Sequence, residues 1–192
     1  MEAVVSGRER FGGTATAVSV AVAGVQRLRL DVVGRDYDVP VLVLRWGRIA
    51  MRFTSAAQVQ AVLGLFAMAR QALYDGVRFA PLSEEEPSRF DVATTVSVTW
   101  RRPVGTATWE KRFVPSLRKV ITVIDLDIAP VTFRIYDLDG ADSAVAALHR
   151  AWRTALAVFD DADQCRVNPV TPSWAAAHPR QLRRAGHGWI PA

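Results

Sequence analysis

The sequence predicts an α+β protein made of a duplicated ββββα unit, with antiparallel sheets each backed by a helix and an irregular C-terminal tail. Two observations carry that prediction. An apolar strand signal (Val39-Pro-Val-Leu-Val-Leu44), a Trp46-Gly47-Arg48 turn and a second strand (Ile49 to Phe53) lead directly into a long helical pattern. About 85 residues later the same order returns, as a valine- and isoleucine-rich strand pair from Val120 to Tyr136 runs into a second helical pattern, Ala141 to Phe159.

Taken in order, residues 1 to 13 are polar and read as a lead-in. From Thr14 to Val25, Val18, Val20 and Val22 alternate with Ala17, Ser19 and Ala21, the period of a strand. Arg27 to Val33 sets Arg27, Arg29 and Asp31 against Leu28, Leu30 and Val32, a half-buried strand with a charged outer face. Strands over 39–46 and 48–53 follow, the latter alternating Arg48, Ala50 and Arg52 with Ile49, Met51 and Phe53.

Thr54 or Ser55 is placed to cap the next helix, since a hydroxyl there accepts a bond from an orphan N–H of the first turn. Val59, Val62, Leu63, Phe66 and Leu73 form its apolar stripe, with Gln60, Arg70 and Gln71 opposite. The stretch 77–89 contains Pro81, Glu84, Glu85, Glu86 and Pro87 and reads as a linker. Phe90 to Arg102 alternates again, Thr106 to Phe113 returns, Arg118 to Ala129 is a long β-branched strand, and Val131 to Tyr136 is the last. Val145, Leu148, Trp152, Leu156 and Phe159 give the second helix its stripe. One globular domain over 1–160 therefore holds two pseudo-repeats, 14–76 and 90–160, followed by a basic and aromatic tail, 161–192.

Composition narrows the function. Half of the 192 residues are hydrophobic and the mean hydropathy is +0.10, values of an ordinary globular chain. No run approaches the roughly 18 apolar residues that span a bilayer, and the N-terminus lacks the order of a secretory signal. No membrane partner is expected, and a cytoplasmic location is the default. Cys165 is the single cysteine, which excludes an internal disulfide. The net charge is +5 and the pI about 10.1, so polyanions are attracted. Of the basic residues only Lys111 and Lys119 are lysine; an arginine-rich codon bias explains that as well as selection does.

No Gly-x-Ser-x-Gly, P-loop, Gly-x-Gly-x-x-Gly or His-Glu-x-x-His pattern occurs. His149 lies on a helix stripe, and His178 and His187 in the tail, so no nucleophile has a base and an orienting acid. Asp137, Asp139 and Asp142 lack the spacing of a calcium loop and suit a helix N-terminus better. The expectation is a protein that is not an enzyme and carries no cofactor or metal.

The arginines are more informative. Alternation puts Arg27, Arg29, Arg48, Arg52, Arg101, Arg112 and Arg134 on strand faces opposite the apolar positions. Guanidinium groups there suit phosphates, and Trp46, Trp109 and Tyr136 are candidate stacking platforms for unpaired bases.

Four strands and a helix, twice over from Thr14 to Phe159, resemble the arrangement of the PUR-domain and Whirly families. The resemblance rests on element order and carries no binding residue across. It implies single-stranded DNA or RNA as partner, sheet faces as the binding surface, and further assembly into a homo-oligomer. Bacterial sporulation proteins of similar fold act through protein partners. A structural or assembly role in a bacterial or phage complex is therefore the second expectation.

Overall fold

A computed structural model describes residues 18–34, 40–76, 96–114, 118–177 and 182–184. The lead-in, the linker 77–89, most of the expected 90–102 strand's first half and most of the basic end of the tail lie outside them. Nine strands and three helices run β1 (Val18–Val22), β2 (Leu28–Val33), β3 (Val41–Trp46), β4 (Ile49–Phe53), α1 (Ala56–Gly76), β5 (Val96–Thr99), β6 (Thr106–Val114), β7 (Lys119–Ile128), β8 (Val131–Ile135), α2 (Leu138–Val158), α3 (Pro172–Ala177) and β9 (Leu182–Arg184) among the described residues. A 3-10 turn, Asp160–Cys165, links α2 to α3.

The α+β class and the repeated sheet-helix unit stand. Alternation fixes which side of each strand is apolar, and those sides pack against helices as expected. Pairing differs from the expected all-antiparallel sheets. One sheet has the order β2-β3-β4-β5 and the other β1-β8-β7-β6-β9. The first strand of each unit has crossed into the other unit's sheet, where β1 lies parallel to β8 and β5 parallel to β4. Parallel neighbours need a long crossover, and between β4 and β5 the chain supplies α1 plus the segment after it. Each crossing strand covers an edge that the last strand of the other unit would leave unpaired.

The exchange is reciprocal. Val96 N donates to Arg48 O and Val18 N to Pro130 O, both at 2.9 Å. Register makes Leu42 pair with Phe53 and Ile124 with Ile135, so positions 42 and 53 recur 82 residues later. The two helices obey the same offset, each 21 residues long and starting at 56 and 138. The echo read from sequence is thus an ungapped structural repeat from 41–76 to 123–158. Applied through the β2–β3 and β6–β7 registers, it makes Leu28 the counterpart of Gly105 and Leu30 that of Ala107.

One core joins the two units. Trp46 from β3, Phe133 from β8 and Phe66 from α1 meet at its centre. Trp46 stacks on Phe133 with ring centres 5.4 Å apart and lies 5.7 Å from Phe66. Phe66 meets Phe133 edge-on at 5.1 Å. Such offset and T-shaped pairs add to simple burial. The helices pack on one another, α1 also against β6 and β7, and α2 against β2 and β3. Each helix therefore supports the other unit's hairpin.

Both helix starts are held by side chains. Ser55 Oγ accepts from Gln58 N at 3.3 Å, as the capping reading expects, while Asp161 reaches across to accept from Ala56 N at 2.8 Å and Ala57 N at 3.0 Å. At α2, Asp137 is the N-cap; its Oδ1 accepts from Gly140 N at 2.7 Å and its Oδ2 from Gly24 N at 2.8 Å. Space at Gly140 is tight, since a Cβ there would lie 3.1 Å from Val22 Cγ1 and 3.2 Å from Val22 C. This places β1 tightly on the first turn of α2.

The start of the tail packs on the domain, and one expectation about α1 needs correction. Gln60 Nε2 donates to Cys165 O at 3.0 Å and Val167 O at 2.8 Å, and Trp152 Nε1 donates to Cys165 O at 3.0 Å. For the same reason Gln60, expected on the polar side of α1, is only 7% exposed. A segment distant in sequence covers that side of the helix.

Candidate nucleic-acid interface

Both inner faces feed one core, so the two outer faces point away from it and are separate surfaces. In the β2-β3-β4-β5 sheet the register aligns Arg29 with Arg45, Ala50 and Ser97 in one row. The next row is Asp31, Val43, Arg52 and Thr99. Three arginines against one aspartate make this face cationic. Val43 and Ala50, 4% and 7% exposed, form a low apolar floor between the long charged side chains.

Asp31 is shared. Its Oδ1 accepts from Arg29 Nε and its Oδ2 from Arg45 Nε, both at 3.2 Å. These exposed pairs add little stability. Their consequence is geometric, because two like charges sit side by side with a carboxylate between them. Both bonds use Nε, so the terminal nitrogens of the two forks are not spent on Asp31.

Arg52 is in a different position from its repeat counterpart. Arg52 and Arg134 are 82 positions apart and occupy the same place in the two hairpins. Arg134 is clamped by Asp125 on the neighbouring strand, Nε to Oδ1 and Nη2 to Oδ2, each at 2.7 Å. That hydrogen bond, with a smaller contribution from Tyr136, raises its pKa above the usual arginine range. At the equivalent of Asp125 the first unit has Val43. Among the described residues Arg52 accordingly makes no ion pair.

The ten residues singled out from sequence therefore separate. Arg29 and Arg52 share the cationic face. Arg27 precedes β2 and Arg48 lies in the β3–β4 turn at the same end of that sheet, while Arg101 follows β5 at the opposite end; all three are exposed. Arg112, Arg134 and Tyr136 belong to the other sheet. There Arg112 pairs with Glu110 at 2.7 Å, Arg134 is held by Asp125, and Asp127 accepts from the Thr132 hydroxyl.

Neither tryptophan stands on an outer sheet face. Trp46 is 5% exposed in the aromatic centre, its Nε1 donating to Gln26 Oε1 at 2.8 Å. Trp109 stands on the inner face of β6 beside Ile124 and packs against the core. The physical reason is parity: Trp46 shares its side of β3 with Leu42 and Leu44, and Trp109 its side of β6 with Ala107. Trp100 is likewise inside, 6% exposed and donating to Ile128 O and Ala129 O.

Arg45 was missed in the sequence reading. Its signal was present, as the charged residue that breaks the apolar run of β3 at outward parity with Val41 and Val43. Burial, with a smaller contribution from Asp161, pushes the Cys165 thiol pKa up, which disfavours the thiolate. No helix among the described residues is long and apolar enough to cross a membrane. Comparison with family models, curated proteins and solved structures gives no match, so the surface has to be interpreted from its own chemistry.

Proposed function

We propose that the protein is a non-enzymatic binder of nucleic acid, favouring single-stranded DNA or RNA, and that the outer face of the β2-β3-β4-β5 sheet carries the phosphates. The observation that supports this is the set Arg29, Arg45 and Arg52 on one face, with a single carboxylate among them and none opposite Arg52. Backbone contact of this kind is insensitive to sequence and governed by charge. An open sheet face presents no helix or ribbon to a major groove, which favours a flexible strand over a duplex. With Trp46 and Trp109 inside, arginine contacts rather than base stacking supply the affinity.

Electrophoretic shift with single- and double-stranded probes tests the reading. At about 50 mM salt the wild type is expected to shift single strands, and Arg29→Ala/Arg45→Ala/Arg52→Ala to bind about 100-fold more weakly. Absence of any shift with single-stranded DNA and RNA would refute it.

A second reading, assembly through protein contacts, has its own observation. Among the described residues the β6–β7 hairpin outruns its neighbours, with β8 paired to β7 over 124–128 and β9 to β6 over 107–109. Near its tip Phe113 and Val120 are register partners, 59% and 57% exposed. Apolar pairs at a hairpin end suit a subunit contact. Light scattering is expected to show a smaller particle for Phe113→Ser/Val120→Ser than for the wild type if this reading holds; a wild-type monomer would contradict it.

A further inference from the structure

The repeat makes it possible to ask where the two halves fail to match, and one place is the junction of each helix with the hairpin it supports. Between α2 and the inner face of β2 and β3 lies a half-open cleft of about 170 Å³, lined by Leu28, Leu30, Leu44, Ala147 and Arg150. Helix and strand are pinned at one end, where Gln26 N donates to Ser143 Oγ at 2.8 Å. Ser143, Ala147 and Arg150 follow one another along a single side of α2. The cleft occupies the strip beyond the pin.

In the second half the corresponding positions are Gly105, Ala107, Leu126, Leu65 and Met68, and the junction is closed. A Cβ on Gly105 would already lie 2.9 Å from Leu65 Cδ1. Ala107 and Leu126 are fully buried and Leu65 is 1% exposed. The exchange of sizes is concerted, with small strand residues meeting large helix residues in one half and the reverse in the other. In the first half it is incomplete. Ala147 lacks the side chain that Leu65 has, and Arg150 stands at the position of Met68, which packs against the core. Among the described residues Arg150 makes no ion pair.

We propose that this cleft is a binding site for a small amphipathic carboxylate, a compound with an aryl or short alkyl body and one anionic head. The body fills the space between Leu28, Leu30, Leu44 and Ala147, and the carboxylate is bound by the Arg150 guanidinium. The volume matches the body, since apolar cavities of about 150 Å³ accept a benzene-sized group. A single guanidinium matches the head, because its fork and a carboxylate form a bidentate pair. The site is distinct from the cationic face, as alternation along β2 directs Leu28 and Leu30 inward and Arg29 and Asp31 outward.

Methyl NMR of the full chain, titrated with phenylacetate and in parallel with toluene, tests this. Saturable shifts confined to the Leu28, Leu30, Leu44 and Ala147 methyls are expected, with a phenylacetate dissociation constant below about 1 mM. Arg150→Met, on the exposed rim, should weaken phenylacetate about tenfold and leave toluene unchanged. Ala147→Leu, which supplies the side chain of the closed half, should abolish both and raise the Tm. Equal loss of both compounds in Arg150→Met would overturn the role of the head-group contact. No saturable shift at the four methyls in the wild type, or an unchanged phenylacetate affinity in Ala147→Leu, would overturn the site itself.

Discussion

Trp46→Ala is expected to cost about 3–5 kcal/mol of folding free energy, among the largest losses available from one core truncation. The ring is 5% exposed, stacks on Phe133 of the other sheet, touches Phe66 of α1, and donates its only N–H to Gln26. Truncation leaves a cavity where both sheets and a helix converge, and it also leaves Gln26 Oε1 without its donor. Trp46→Phe should cost less, since it keeps most of the ring contact and loses only the hydrogen bond and part of the volume. Urea denaturation measures both. A cost under about 1 kcal/mol for Trp46→Ala, accompanied by loss of oligonucleotide affinity, would return this residue to the surface role that the sequence reading gave it.

Asp137→Ala is expected to cost about 2–4 kcal/mol, more than an ordinary cap, because one 4% exposed carboxylate satisfies two backbone N–H groups from different elements. Loss of Oδ1 exposes the first turn of α2. Loss of Oδ2 releases Gly24, whose φ of +63° suits glycine in the tight exit from β1. The consequence is local as well as global. β1 is held by pairing with β8 and by this carboxylate, so its amides should lose hydrogen-exchange protection earlier than those of β3 or β7. Asp137→Asn keeps one acceptor but turns an NH2 toward a donor, and is expected to fall between the wild type and alanine. Uniform loss of protection across both sheets would show that the carboxylate does not specifically hold β1.

Alternation and helical periodicity made most of the elements legible. The strands that alternate, such as Leu28 to Val33, have the inward and outward sides that their residues dictate, and the helices end close to where their stripes do. Two things were not legible, each because a distant partner decides it. Strand exchange depends on which edge β1 and β5 find, and a valine-rich strand carries no record of that choice. Gln60 was placed outward by the helix period, yet the chain at 160–167 covers it. The inward placement of Trp46 has a different reason. Parity puts Trp46 on the side of Leu42 and Leu44, and its chemical suitability for stacking does not change the side it faces. Arg45 was the reverse case, an outward charge concealed by the outward valines beside it.

The cationic face is the central claim, and the salt dependence of binding measures it most directly. For the wild type and for Arg29→Ala/Arg45→Ala/Arg52→Ala, log affinity for a single-stranded oligonucleotide is followed against log salt. A matched variant, Arg112→Ala/Arg153→Ala/Arg166→Ala, removes the same charge from other surfaces. Each phosphate contact on a single strand contributes about 0.7 to the slope, so the first variant should lose about 2 units of slope and the control much less. Equal slopes for the two variants would mean that net charge alone attracts the strand and that the β2-β3-β4-β5 face has no special part in binding it.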